Sequence, residues 1–152
     1  MPTRRTMMIG TAAAVAFAQT GAPVHAAFDD TGDSDAAIQN IAVGRKVTPG
    51  RVKLTLPELA ENGNVVSLTV EVESPMTPAD HVKAIHIVAS KNPLANVVRF
   101  HLGPRSGRAR VQSNIRLATT QTVTALAEMS DGTLWSGTST VLVTLSACID
   151  GG

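Results

Sequence analysis

From Arg51 onward the chain alternates apolar and polar residues with a period of two. In RVKLTL, Val52, Leu54 and Leu56 alternate with Arg51, Lys53 and Thr55. In VVSLTVEVES, Val66, Leu68, Val70 and Val72 share one face, and Ser67, Thr69, Glu71 and Glu73 the other. After a break at Pro75 and Pro78 comes HVKAIHIVAS, then VVRFHL, with Val98, Phe100 and Leu102 inward and Arg99 and His101 outward. ARVQSNIRLA sets Val111, Ile115 and Leu117 against Arg110, Gln112 and Arg116. QTVTALAEM and STVLVTL, with Val141, Val143 and Leu145, complete the set, and ENGN, KNPL, GPRSGR and SDGT are turns between strands. Successive side chains point to opposite faces of a strand, so this period predicts half-buried strands. About seven strands at regular spacing, with almost no helix, predict an all-β fold. A two-sheet antiparallel β-sandwich of immunoglobulin type suits that pattern, and an open barrel is the alternative.

Ahead of the strands, Ile38, Ile41 and Ala42 fall on one side of a short helix from Ala36 to about Val43. Ser34 or Asp35 is its expected cap and Gly44 its stop. Val97 and Leu126 are apolar at outward positions of the alternation. With edge strands that need cover, they predict a second subunit against the sandwich.

The first 26 residues read as an export signal rather than as part of the fold. Arg4 and Arg5 precede an apolar run from Met7 to Ala18, and VHA at Val24 to Ala26 fits the small-x-small rule for cleavage. The run is short of the ~20 apolar residues of a membrane span. Its weak hydrophobicity behind paired arginines predicts the twin-arginine route to the periplasm. FDDTGDSDA is acidic and without apolar spacing, so residues 27–35 are expected to be a flexible leader. With Arg4 and Arg5 removed, 11 basic residues stand against 12 acidic ones. Bulk charge therefore argues for neither nucleic acid nor an anionic membrane. Phe17, Phe28, Phe100 and Trp135 are the aromatic residues, too few for a base-stacking platform.

Export changes the meaning of Cys148, the single cysteine, in the closing stretch TLSACIDGG. A thiol without an internal partner in an oxidising compartment is buried, pairs with another molecule, binds a metal or reacts. The last strand is expected to end near Leu145, three residues before Cys148, a reach of roughly 10 Å. No basic residue stands beside the thiol in sequence, and Asp150 opposes formation of a thiolate. A tethered sulfur with no adjacent base suits a carrier whose partner enzyme supplies the electrophile.

Other candidates are weaker. His81 and His86, five apart on one strand, face opposite sides and do not share a metal. His101 beside Arg99 reads as a surface residue. Arg105, Arg108, Arg110 and Arg116 form a basic stripe, which is either a solvated face or a guide for an anionic partner. Trp135 reads as core or interface packing.

The phrases AENG, SPMT.ADHVKAIHI, KNP, IRLA.TQTV.A.AEMSDG and V.VTL together resemble the SoxY family, sulfur carriers of the bacterial thiosulfate-oxidising Sox system. The likeness runs from about Asp35 to Cys148. It implies an immunoglobulin-like sandwich over residues 36–145, paired with a SoxZ-like subunit as a heterodimer. It also implies a C-terminal arm over residues 146–152 whose cysteine carries covalent intermediates between Sox-type cytochromes, a hydrolase or related periplasmic oxidoreductases. Cys148 matches that cysteine. The family's arm reads GGCGG. Here Ser146 and Ala147 precede the cysteine, and Ile149 and Asp150 separate it from Gly151 and Gly152, as in a related variant reading roughly AACIE. Glycine accepts conformations the other residues do not, so this arm is expected to be stiffer.

Three readings follow. The first is a periplasmic covalent carrier, not itself an enzyme and needing no cofactor. The second is a soft-metal module holding Cu(I) on Cys148 and histidines. The third is a structural sandwich subunit. Triad and metal-ligand spacings of a stand-alone enzyme are missing from the sequence.

Overall fold

The computed structural model of the chain describes residues 33–146. The expected signal segment, nearly all of the leader, and positions 147–152 of the arm lie outside the described residues. One α-helix and nine strands follow in the order α1 (Ser34–Ala42), β1 (Val47–Pro49), β2 (Val52–Thr55), β3 (Leu59–Asn62), β4 (Val66–Val72), β5 (Val82–Ala89), β6 (Asn96–His101), β7 (Arg110–Ile115), β8 (Gln121–Met129) and β9 (Leu134–Leu145). A larger sheet has the order β1-β9-β8-β5-β6, with β3 also on β9; a smaller one has the order β2-β4-β7. The sandwich expected from the alternation is present. Its core is built from inward residues of both sheets: Val66, Leu68, Val70 and Val72 from one, Ile85, Ile87, Val123, Ala125, Ala127 and Val141 from the other.

Two strands escaped the alternation, and both correct the expectation of a wholly antiparallel sandwich. β1 and β3 each pair in parallel with β9. Strands of three and four residues are too short to display a period. β9 has twelve residues, and β1 and β3 fill its outer edge one after the other. Between them the chain drops into the smaller sheet as β2. Gly137 lies between the two parallel pairings, and a Cβ there would overlap the carbonyl oxygen of Val52. Close passage of β2 over β9 therefore requires glycine at this position.

The helix begins two residues earlier than expected, and its cap is Asp33 instead of Ser34 or Asp35. The Asp33 carboxylate accepts hydrogen bonds from the backbone N–H of Asp35 at 2.9 Å and of Ala36 at 3.3 Å. That arrangement satisfies two donors that the first helical turn leaves open. Val43 ends the helix with φ 49°, its N–H bonded to the Gln39 carbonyl.

Ala37 and Ile41 of α1 pack on Val88, Ala95 and Leu126, on the outer face of the larger sheet. The outward position of Leu126 is therefore correct, but the side chain is fully buried under the protein's own helix. Val97 is half-buried against the core. Neither residue is surplus surface for a partner. The helix covers Leu126, and the inter-sheet core takes up Val97. Alternation reports the face of a side chain and not what covers it.

Candidate functional site

The root of the arm is held firmly. Over its last residues β9 pairs with β3, with Leu59 opposite Leu142, Ala60 opposite Val143 and Asn62 opposite Leu145. The Leu145 carbonyl accepts from Gly63 N–H at 2.9 Å, the Thr144 hydroxyl donates to the Glu61 carbonyl at 3.1 Å, and Val143 N–H donates to the Thr120 hydroxyl at 2.9 Å. β9 thus stays hydrogen-bonded up to Leu145, the boundary expected from the sequence. Ser146 follows, exposed and outside any strand. Ala147, Cys148, Ile149, Asp150, Gly151 and Gly152 lie outside the described residues. Beside this root, Leu59, Leu142 and Leu145 leave more than half of their surface to solvent. Leu59 and Leu142, paired across the two strands, form an exposed apolar pair, and Leu145, three residues on, is exposed from the opposite face of β9.

A second feature lies at the other end of the same sheet. A cleft of about 350 Å³ opens between the C-terminal end of α1 and the outer faces of β5, β6 and β8. His86 projects into this region from β5, with only 3% of its surface exposed. Arg99 lies opposite it on β6, and Leu126 opposite it on β8. The Nε–H of Arg99 donates to His86 Nδ1 at 3.1 Å. Nδ1 is then the acceptor, which puts the imidazole proton on Nε2. Nε2 stands 3.8 Å from the Glu128 carboxylate, beyond hydrogen-bond length, and has no other partner among the described residues. Burial and the Arg99 guanidinium push the His86 pKa down from 6.5 to about 4, against the opposing pull of Glu128. His86 is therefore a neutral buried imidazole at neutral pH.

Glu128 is already paired. Arg45 Nη1 lies 3.2 Å from its carboxylate, and the same guanidinium donates to the carbonyls of Ile41, Ala42 and Gly132. Arg45 thus ties the end of α1 to the end of β8, neutralising both the helix terminus and the carboxylate.

The remaining candidates scatter. His81 precedes β5, its Nδ1 3.1 Å from the Thr77 carbonyl, and takes no part in the cleft. His101 is exposed and lines the cleft at the end of β6. Arg105, Arg108 and Arg110 are exposed at the start of β7, whereas Arg116 follows its end, some 20 Å along the strand. They do not form one stripe. Trp135 is half-buried against the core, as the sequence reading expected, and the Arg51 guanidinium lies 5.4 Å from its ring centre in a cation–π contact. Among the described residues no group of three or more His, Cys, Asp or Glu gathers to hold a metal. Sequence reading missed Arg45, Lys83 and Glu128. Their signal was present only in part: Thr124, Leu126 and Glu128 share a face of β8, but their register against His86 is a long-range pairing.

Comparison with known proteins bears on both regions. The profile of the family described as Sulfur oxidation protein SoxY matches residues 38–148. No curated protein matches the chain significantly. Among solved structures, the sulfur carrier protein SoxY from Chlorobium limicola f thiosulfatophilum is 26% identical, with a TM-score of 0.61 over 73% of this chain and 96% of that one. Superoxide reductases from Ignicoccus hospitalis (17% identical, TM-score 0.54, 62% of this chain and 80% of that one) and Nanoarchaeum equitans (12%, 0.53, 63% and 100%) share the fold alone. The SoxY match begins within helix α1, runs through both sheets and ends on the single cysteine beyond β9. On that extent of agreement in sequence and fold, the chain belongs to the SoxY family of sulfur oxidation proteins.

Proposed function

We propose that this protein is a periplasmic sulfur carrier that holds its intermediates covalently on Cys148 and presents them to partner enzymes. The observation that carries this reading is positional. The single cysteine of a SoxY-family chain stands three residues beyond a strand hydrogen-bonded to its last residue. A fixed post followed by a short tether lets the sulfur reach into another protein's cleft while the sandwich stays outside. Joining the Cys148 thiolate to a second sulfur anion through an S–S bond releases two electrons. These pass to a partner oxidoreductase of the Sox-type cytochrome class; hydrolytic release of the oxidised sulfur falls to a partner hydrolase. The carrier contributes the nucleophilic sulfur and its presentation.

A SoxZ-like subunit is the expected partner. The exposed leucines Leu59, Leu142 and Leu145 support that reading in place of Val97 and Leu126, because they are apolar, uncovered and adjacent to the arm. Export by the twin-arginine route with cleavage near Ala26 completes the proposal.

Intact-mass spectrometry tests the central residue. Protein recovered from cells oxidising reduced sulfur compounds carries an adduct that survives denaturation and is released by reductant. Cys148→Ser carries none, and turnover by the reconstituted system stops, while its fold and heterodimer persist. Full turnover by Cys148→Ser refutes the carrier reading.

A further inference from the structure

We infer that Asn62 is a self-modification site gated by the root of the arm: its side chain closes onto the Gly63 nitrogen and loses ammonia only while the bond from Gly63 to Leu145 is open. The sequence singles out this amide. Asn62 is followed by glycine, whereas the other five asparagines precede Ile41, Val65, Pro93, Val97 and Ile115. A β-branched neighbour screens its own backbone nitrogen, and proline has no N–H to give up; glycine does neither.

The fold supplies an activated electrophile and a restrained nucleophile. Asn62 ends β3 and is exposed, so water reaches its side chain. Its Oδ1 accepts the Asn64 backbone N–H at 2.9 Å. That donor draws charge from Cγ and steadies the oxygen as a nitrogen adds to the carbon. The nucleophile is the Gly63 nitrogen, whose N–H donates to the Leu145 carbonyl at 2.9 Å. Gly63 is buried, and its own carbonyl accepts from Leu117 N–H at 2.8 Å. To attack, the nitrogen must lose its proton and turn toward Cγ. A proton held in a hydrogen bond at a buried residue reaches base only when the structure opens locally. The end of β9 is thus the gate.

The step needs no co-reactant but water. The Gly63 nitrogen gives its proton to solvent base and bonds to Asn62 Cγ. The bond from Cγ to the side-chain nitrogen breaks, and ammonia leaves after taking a proton from solvent. Water then opens the five-membered imide at either carbonyl, giving an aspartyl link or an isoaspartyl link whose backbone runs through the side chain. Nothing is oxidised or reduced. Either product alters the post from which the arm departs, because Asn62 stands opposite Leu145 in the pairing of β3 with β9. An aspartyl link adds a carboxylate beside Glu61, and an isoaspartyl link lengthens the backbone by one carbon. The change is one-way, so the converted fraction records how long the root has stood open. It is independent of the carrier reading, and Cys148→Ser leaves it unchanged.

The test follows the full mature chain in mildly alkaline buffer, in a Cys148→Ser background free of disulfide dimers. Peptide mapping by mass spectrometry reads the conversion of Asn62, and amide hydrogen exchange reads opening at Gly63. The native chain should convert at least about tenfold more slowly than the chain unfolded in urea, which corresponds to about 1.4 kcal/mol of opening. Sub-denaturing urea and Thr120→Ala, which removes the acceptor of Val143 N–H at the root, should each raise conversion in proportion to Gly63 exchange. Conversion as fast in the native chain as in the unfolded one, or conversion that does not follow Gly63 exchange across the urea series, overturns the gate. A chain that fails to convert even when unfolded overturns the site.

Discussion

Acidification from pH 7 to pH 4 removes stability through His86. In the folded chain its pKa is lowered from 6.5 to about 4, first by burial and then by Arg99. Unfolded, the imidazole titrates near its ordinary ~6.5. Between these values the unfolded chain binds a proton that the folded chain refuses, so stability rises with pH across this window. The contribution is complete above pH 6.5, falls as pH drops, and is gone once pH passes the folded value near 4. A gap from 6.5 to about 4, at 1.36 kcal/mol per pH unit, amounts to about 3 kcal/mol. Against the ~5–15 kcal/mol by which domains are stable, that is a large share. Facing His86 are Arg45, Lys83, Arg99, His101 and Glu128. Urea unfolding followed by the fluorescence of Trp135 gives the free energy at each pH, in a Cys148→Ser background that cannot form disulfide dimers. Carboxylates contribute their own pH dependence, so the measured quantity is the difference between the parent and His86→Gln, whose side chain does not titrate. That difference should shrink by about 3 kcal/mol from pH 7 to pH 4 in favour of the variant. Two parallel curves would refute the placement of a neutral, buried imidazole beside Arg99.

Further outcomes follow from the packing and the sequence. Leu126→Ala removes a fully buried side chain from beneath α1 and should cost about 2–5 kcal/mol, read as a lower urea midpoint together with faster amide exchange in the helix. Gly137→Ala drives a methyl group into the Val52 carbonyl oxygen, a backbone atom that cannot rotate away, and should cost about 1–3 kcal/mol in the same assay. Changing Arg4 and Arg5 together to Lys should leave the precursor in the cytoplasm; undiminished periplasmic protein would rule out the twin-arginine route.

Much of the sandwich was legible because one side of each sheet is buried. Val66, Leu68, Val70 and Val72 can reach a core only if every second residue turns inward, so the period itself encodes the strand and its face. The end of β9 at Leu145 was legible for the same reason. β1 and β3 were not, because each is shorter than the pattern that would announce it and exists only because β9 offers an unfilled edge.

The cap at Asp33 and the burial of Leu126 divide along the same line. A helix near residues 36–43 follows from spacing, but which acidic residue caps it depends on a carboxylate that must bend back to two particular N–H groups. Leu126 points outward by its period and is buried by α1, some eighty residues earlier in the chain. His86 belongs with it: a histidine in an apolar strand is visible in the sequence, but its neutrality, its bond to Arg99 and its nearness to Glu128 depend on the pairing of three strands. The sequence by itself determined the family and the strands with a buried face, because these rest on residue identity and local period. Tertiary structure alone decided the parallel edges of β9, the helix over the outer face and the charged cleft beneath its end. Those features arise where distant segments meet, and no local period records which segments they will be.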